Sequence, residues 1–179
     1  MPTALLIVDV QRSLIEEETW GAEQLLDRVT SLEQAARAAG AAVVWITDSQ
    51  VGPYGDLHEA MRPKAHDLRF TKSRPAAFDG TGLRGALDGH GIDRLVVCGL
   101  QTDCCIRATV RSAADLGYRV VLAGDAHSTF DREGATAEQV IAEHNRALAS
   151  VAEVLPAWDI DFSDSGGQAD LGTRHALTS

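Results

Sequence analysis

Four short apolar runs constrain this chain more than any other feature: Ala4–Val8 (ALLIV), Ala42–Thr47 (AVVWIT), Leu95–Gly99 (LVVCG) and Arg119–Ala123 (RVVLA). A strand with one face in water alternates polar and apolar residues. Unbroken apolar runs belong to strands covered on both faces, as in parallel sheets. Such strands need a layer of helices above and another below, and the intervening sequence supplies them. Ala22–Ala39 places Leu25, Val29, Leu32 and Ala36 at helical spacing and stops at Gly40. Behind Leu95–Gly99, the small residues Ala108, Ala113 and Ala114 let a helix lie close to the sheet. Thr136-Ala137-Glu138-Gln139 has capping-box spacing and opens a helix reaching about Ala149. Arg69–Lys72 reads as a short strand, Gly82–Leu87 as a short helix capped by Thr81, and Val151–Leu155 as a last strand.

The expected architecture is therefore a three-layer α/β/α fold with a six-stranded, mainly parallel sheet. If the strand order is 3-2-1-4-5-6, strands one and four are neighbours at the topological switch point, where open α/β sheets bind ligands. A length of 179 residues suits one domain, and no linker or internal repeat divides it. We place the domain at 1–158. The Gly-, Ser- and Asp-rich stretch 159–179 is expected to be a mobile tail or an arm that contacts another subunit.

Residues with chemistry stand at the ends of these strands. Asp9 follows the first run, where a carboxylate either serves a site or caps a turn. Asp48 ends the second strand and Lys72 the third; a lone lysine is ordinarily a solvated surface residue. Cys104 and Cys105 fall in the first turn of the helix after the fourth strand, with Thr102 or Asp103 as N-cap. A thiol there faces unpaired N–H groups and the positive end of the helix dipole, which favours the thiolate. The same residues also read as a pair of buried structural cysteines. Between the second and third strands, Ser49–Leu68 has little periodicity, and a loop of that length is commonly functional or a lid.

Gly99-Leu100-Gln101-Thr102-Asp103-Cys104-Cys105-Ile106, with Thr109 and Ala113 beyond, resembles the nucleophile motif G-x-x-T-x-x-C-V-x-x-T of the isochorismatase-like cysteine hydrolases. The resemblance covers about residues 3–155. It implies Cys105 as nucleophile, with Cys104 where the family usually has an aromatic residue. Asp9, in Asp9-Val10-Gln11, matches the family's D-x-Q and becomes the catalytic acid/base. Lys72 stands at the family's spacing from an S-A-F-x-G-T-like stretch, here Ala77-Phe78 and Gly80-Thr81, and becomes the third catalytic residue. The resemblance also implies an oxyanion hole from the backbone N–H groups of Gln101 and Cys105, after a cis Leu100–Gln101 peptide. Gln11, Phe78 and His127 become candidate substrate contacts, although His127 reads more readily as a hydrogen-bonded structural histidine. Arg12 and Ser13 depart from the Asn and aromatic residue that often follow D-x-Q, so the mouth of the pocket is expected to differ.

The implied activity is a cysteine amidohydrolase cleaving the C–N bond of a small amide, lactam or carbamoyl substrate through a thioester acyl-enzyme. Alternatives are an isochorismatase-type vinyl-ether hydrolase, against which Cys105 argues, and a non-catalytic binding scaffold. The nicotinamidase branch holds a metal through Asp-x-His at the end of the second strand. Here that position reads Asp48-Ser49-Gln50, so no metal and no cofactor is expected, and His58 and His66 count as loop residues. Relatives of this kind suggest a homo-oligomer, a dimer or tetramer. A net charge of −10 argues against nucleic acid or an anionic membrane surface as a partner. No apolar run reaches membrane-spanning length and no basic leader precedes the first strand. Three cysteines, two of them adjacent, do not form a disulfide framework, so a cytoplasmic protein is expected.

Overall fold

In the computed structural model, which describes residues 1–163, six strands form one sheet in the order β3-β2-β1-β4-β5-β6. Every neighbouring pair is parallel. The strands are β1 (Thr3–Val8), β2 (Ala42–Asp48), β3 (Leu68–Lys72), β4 (Arg94–Leu100), β5 (Arg119–Ser128) and β6 (Glu153–Leu155). The helices are α1 (Arg12–Glu17), α2 (Ala22–Ala38), α3 (Leu83–Gly89), α4 (Arg107–Asp115) and α5 (Ala137–Leu148). Among the described residues, no helix is long and apolar enough to cross a membrane.

The apolar runs divide between two cores because side chains alternate across a strand. Leu5 and Ile7 of β1, with Trp45, Val96 and Cys98, meet Leu25, Val29, Leu32 and Ala36 of α2. Leu6 and Val8, with Val44, Ile46 and Val97, pack on the other face against Leu83 and Leu87 of α3 and Ile106, Val110 and Ala113 at α4. Each fully buried Leu, Ile or Val side chain contributes about 1.5–3 kcal/mol by leaving water. The capping box of α5 forms as the spacing predicts: the Thr136 hydroxyl accepts from the Gln139 N–H, and the Gln139 side chain accepts from the Thr136 N–H.

Several boundaries differ from the sequence reading. Strand β5 continues past Ala123 through Gly124 and Asp125 to Ser128. After a register shift between Val97 and Gly99, β4 pairs again with β5 through Gly99–His127 and Leu100–Ser128, and this pairing overrides the polar break. Strand β6 is shorter than expected. The domain also does not stop at residue 158: Ile160 and Phe162 are buried in the α2-side core, and the Asp161 carbonyl accepts from Arg94. Ile160 and Phe162 stand at period two in a Gly/Ser/Asp-rich context, which carries no local signal of burial. The expectation of a tail or arm over 164–179 lies outside the described residues.

Gly99 carries the close approach of β4 to β1. Its φ is +116°, and a Cβ there would run into the Val8 carbonyl oxygen. Gly99→Ala should therefore cost at least ~2 kcal/mol, from backbone strain and overpacking together. Urea unfolding is the check; a midpoint equal to that of the wild type would show that the strands can part without penalty.

Candidate active site

Parallel strands end at one edge of the sheet, so Asp9, Asp48 and Lys72 meet there although they come from separate parts of the chain. Asp48 and Lys72 close β2 and β3 as register partners. Asp9 follows β1 in the left-handed region, at φ 52°, a conformation that Asp tolerates better than most residues. Its N–H donates to the Ile46 carbonyl, which fixes the turn against β2. From β4 the chain passes a cis Leu100–Gln101 peptide into a five-residue π-helical turn, Thr102–Ile106, before α4 begins. Cys105 lies in that turn.

The ammonium of Lys72 organises the site. Its Nζ is 3.0 Å from Asp9 Oδ2, 2.9 Å from Asp48 Oδ2 and 3.1 Å from Cys105 Sγ. An ammonium has three N–H donors, and here each has one acceptor. Lys72 and Asp9 are buried, and Cys105 is 8% exposed. Asp9 Oδ1 is buried with no hydrogen-bond partner among the described residues. One carboxylate oxygen is thus tied to the lysine and the other is open.

Burial pushes the Asp9 carboxyl up to about 6, against the pull of Lys72. Burial alone would lower the Lys72 ammonium, but the Asp9 charge and the Asp48 hydrogen bond outweigh it and hold the group above its ordinary value. Burial and the Asp9 charge raise the Cys105 thiol, and Lys72 opposes them. The direction is opposite to the one expected from a helix N-terminus: burial and the adjacent carboxylate favour the protonated thiol. Asp9 is the group placed to accept that proton.

Asp48 is the residue that sequence reasoning missed in this role. The signal was available in its place at the end of a central strand, one strand from Lys72. Asp9, Asp48 and Cys105 bring ligand atoms within 4.8 Å of one another. The Lys72 ammonium, within 3.1 Å of all three residues, already fills the position that a cation would take.

The two thiols diverge. Cys105 faces Lys72, while Cys104 is exposed, with its Sγ 4.0 Å from Cys105 Sγ. Neither Thr102 nor Asp103 caps the turn, which is preceded by Gln101 without a side-chain cap. The Gln101 carbonyl instead accepts from the N–H groups of Cys104 and Ile106. Asp103 pairs with Arg132 and accepts from the Thr129 hydroxyl.

The candidate substrate contacts have partners within the fold. The Gln11 amide donates to the Asp48 and Gly55 carbonyls and accepts from the Asp48 N–H, clamping the loop after β2 to the end of β1. Phe78 stacks on Tyr118, which leads into the N-terminal end of β5, at the opposite edge from Asp9. His127 is buried with Nδ1 2.8 Å from the Thr102 hydroxyl and Nε2 2.8 Å from Asn145 Oδ1. The carboxamide oxygen accepts, so Nε2 carries the proton and Thr102 donates to Nδ1. Burial lowers the imidazole to about 4, keeping it neutral and structural. Each residue offered a polar or aromatic group near the motif; the fold spends that group internally.

A thiol, an ammonium and a carboxylate gathered at the switch point of a doubly wound parallel sheet define a cysteine-bearing α/β/α domain of hydrolase type. The isochorismatase domain model matches residues 3–154, and the chain belongs to that family. It is 38% identical over 138 residues to a streptothricin hydrolase of Streptomyces noursei, covering 72% of this chain and 50% of that protein. It spans about half the length of the two streptothricin hydrolases it matches. Its fold superimposes on an isochorismatase from Pseudomonas putida KT2440 with a TM-score of 0.82 at 26% identity, covering 88% of this chain and 89% of the other. For N-carbamoylsarcosine amidase from Thermoplasma acidophilum the TM-score is 0.75 at 25% identity, covering 89% of this chain and 99% of the other.

Proposed function

We propose that this chain is a cysteine amidohydrolase that cleaves the C–N bond of a small amide, lactam or carbamoyl compound through a thioester. One observation carries the reading: Lys72 is hydrogen-bonded to Asp9, Asp48 and Cys105 at once, beside an open Asp9 oxygen. As Cys105 attacks the carbonyl, Asp9 takes the thiol proton. The N–H groups of Gln101 and Cys105 receive the oxyanion. Lys72 offsets the negative charge that moves between sulfur and carboxylate. Protonated Asp9 then gives its proton to the leaving nitrogen, the C–N bond breaks, and water activated by Asp9 releases the acyl group. The streptothricin hydrolase and carbamoylsarcosine amidase relatives support the substrate class.

The test is a panel of small amides, lactams and ureido compounds, with a vinyl ether included, quenched in acid and read by mass spectrometry. The expected result is an acyl adduct on the Cys105 peptide and release of amine or ammonia. Cleavage of the vinyl ether alone, without an adduct and without need for Cys105, would replace this reading with the isochorismatase one.

Asp48 makes a further expectation specific. The site holds two carboxylates to one ammonium, and the second negative charge helps keep the Asp9 carboxyl high. Asp9 must be ionised to accept a proton, so kcat/KM should fall as the pH drops through about 6. Asp48→Asn removes that charge and frees Lys72 toward Asp9, so the acid limb should move to lower pH. It also removes a charge-assisted hydrogen bond worth about 1.5–3 kcal/mol, lowering kcat/KM at pH 7 by roughly ten- to a hundredfold. An unmoved acid limb would show that Asp48 does not tune Asp9.

A further inference from the structure

The proposed hydrolysis uses one of two adjacent thiols. Cys105 Sγ sits beside the Lys72 ammonium, and Cys104 Sγ lies 4.0 Å away on a residue that is exposed. The third cysteine, Cys98, is buried within β4, where its thiol donates to the Leu6 carbonyl, and it plays no part. Asp9 can take the Cys105 proton as the sulfur attacks, and the Lys72 ammonium 3.1 Å from Sγ stabilises the thiolate so formed, an activation that serves electrophiles other than a carbonyl as well. A peroxide is smaller than any amide substrate, so a crevice that admits the amide admits the peroxide.

We infer that Cys104–Cys105 is a modification site for hydrogen peroxide and small alkyl hydroperoxides, in which Cys104 captures a sulfenic acid on Cys105 as a reversible vicinal disulfide. This rests on the reading of Cys105 as the reactive thiol. In the first step the Cys105 sulfur attacks the peroxide oxygen and the O–O bond breaks. The thiol proton passes through Asp9 to the leaving oxygen, giving Cys105–SOH and water or an alcohol. In the second, the Cys104 sulfur attacks the Cys105 sulfur, the S–O bond breaks, and hydroxide leaves with the Cys104 proton as water. The two thiols supply two electrons and the peroxide accepts them.

Geometry explains why the product reverses. Disulfide-linked Cα atoms are usually about 4.4–6.8 Å apart. Neighbouring residues across a trans peptide are held at about 3.8 Å. The ring is therefore strained, which makes it easily reduced. Its formation nevertheless keeps Cys105 from the irreversible sulfinic acid.

The experiment treats the full chain with hydrogen peroxide and reads the Cys104–Cys105 peptide by mass spectrometry, with no substrate present. Wild-type protein should lose the mass of two hydrogens on that peptide, keep Cys98 as a free thiol, and return to its starting mass with dithiothreitol. Cys104→Ser, at an exposed position, should fold with an unchanged melting temperature. It should accumulate a dimedone-reactive sulfenic acid and then a sulfinate that dithiothreitol does not reverse. Equal sulfinate formation in both proteins, or a disulfide between two chains, would overturn the proposal. Because the readout needs no amide cleavage, the disulfide can form even if the proposed hydrolysis fails, and the two outcomes stay separate.

Discussion

Cys105→Ala should abolish turnover, while Cys104→Ala should keep most of it. Adjacent residues in a helical turn point in different directions: here the Cys105 thiol contacts Lys72, and Cys104, though its Sγ lies 4.0 Å from Cys105 Sγ, is exposed. Removing the nucleophile from a catalytic triad costs about 10⁶-fold in kcat, because the remaining members have nothing to activate. Cys104 touches neither carboxylate by hydrogen bond, so its loss should leave the reaction within about threefold of wild type, in line with a surface substitution costing less than about 0.5 kcal/mol. Steady-state kinetics on any amide found in the panel is the check. If the Cys104 variant is the dead one, the nucleophile is one residue earlier than the geometry places it.

Asp9→Asn carries the second large effect. The amide side chain fills the same space but can neither take the thiol proton nor return it to the leaving nitrogen. Positioned acid–base groups contribute about 10²–10⁴-fold, so amide hydrolysis should fall by at least that range. The loss should depend on the leaving group. An activated ester expels an anion that needs no proton, so its acylation should suffer less than that of the matching amide. Single-turnover acylation of both substrates separates the two roles. Equal losses would mean that Asp9 activates the thiol without protonating the leaving group. The open Asp9 Oδ1 motivates the dual role, since Oδ2 is occupied by Lys72 throughout.

Much of the fold was legible because β1, β2, β4 and the start of β5 are apolar on both faces, and that pattern has few architectural solutions. The boundaries that went astray were those set by partners. Nothing local marks Gly124-Asp125 as strand; pairing of His127 and Ser128 with Gly99 and Leu100 makes it so. Ile160 and Phe162 have two-residue spacing in a polar setting, and only the exposed edge of the α2-side core gives them a place. The candidate triad was legible by motif. The internal partners of Gln11, Phe78 and His127 were not readable, because they come from distant segments: Asp48 and Gly55, Tyr118, and Thr102 with Asn145.

The amino-acid sequence by itself determined the layering, the parallel sheet and the residue types at three strand ends, since burial patterns and motif spacing are local properties. Tertiary structure alone decided how those residues act on one another. Burial and the nearby charges raise both the Asp9 carboxyl and the Cys105 thiol, and no reading along the chain contains the distances that set this balance. The recruitment of Asp48 to Lys72 was decided in the same way. Two residues 24 apart in sequence become hydrogen-bonded partners because β2 and β3 run parallel and end in register.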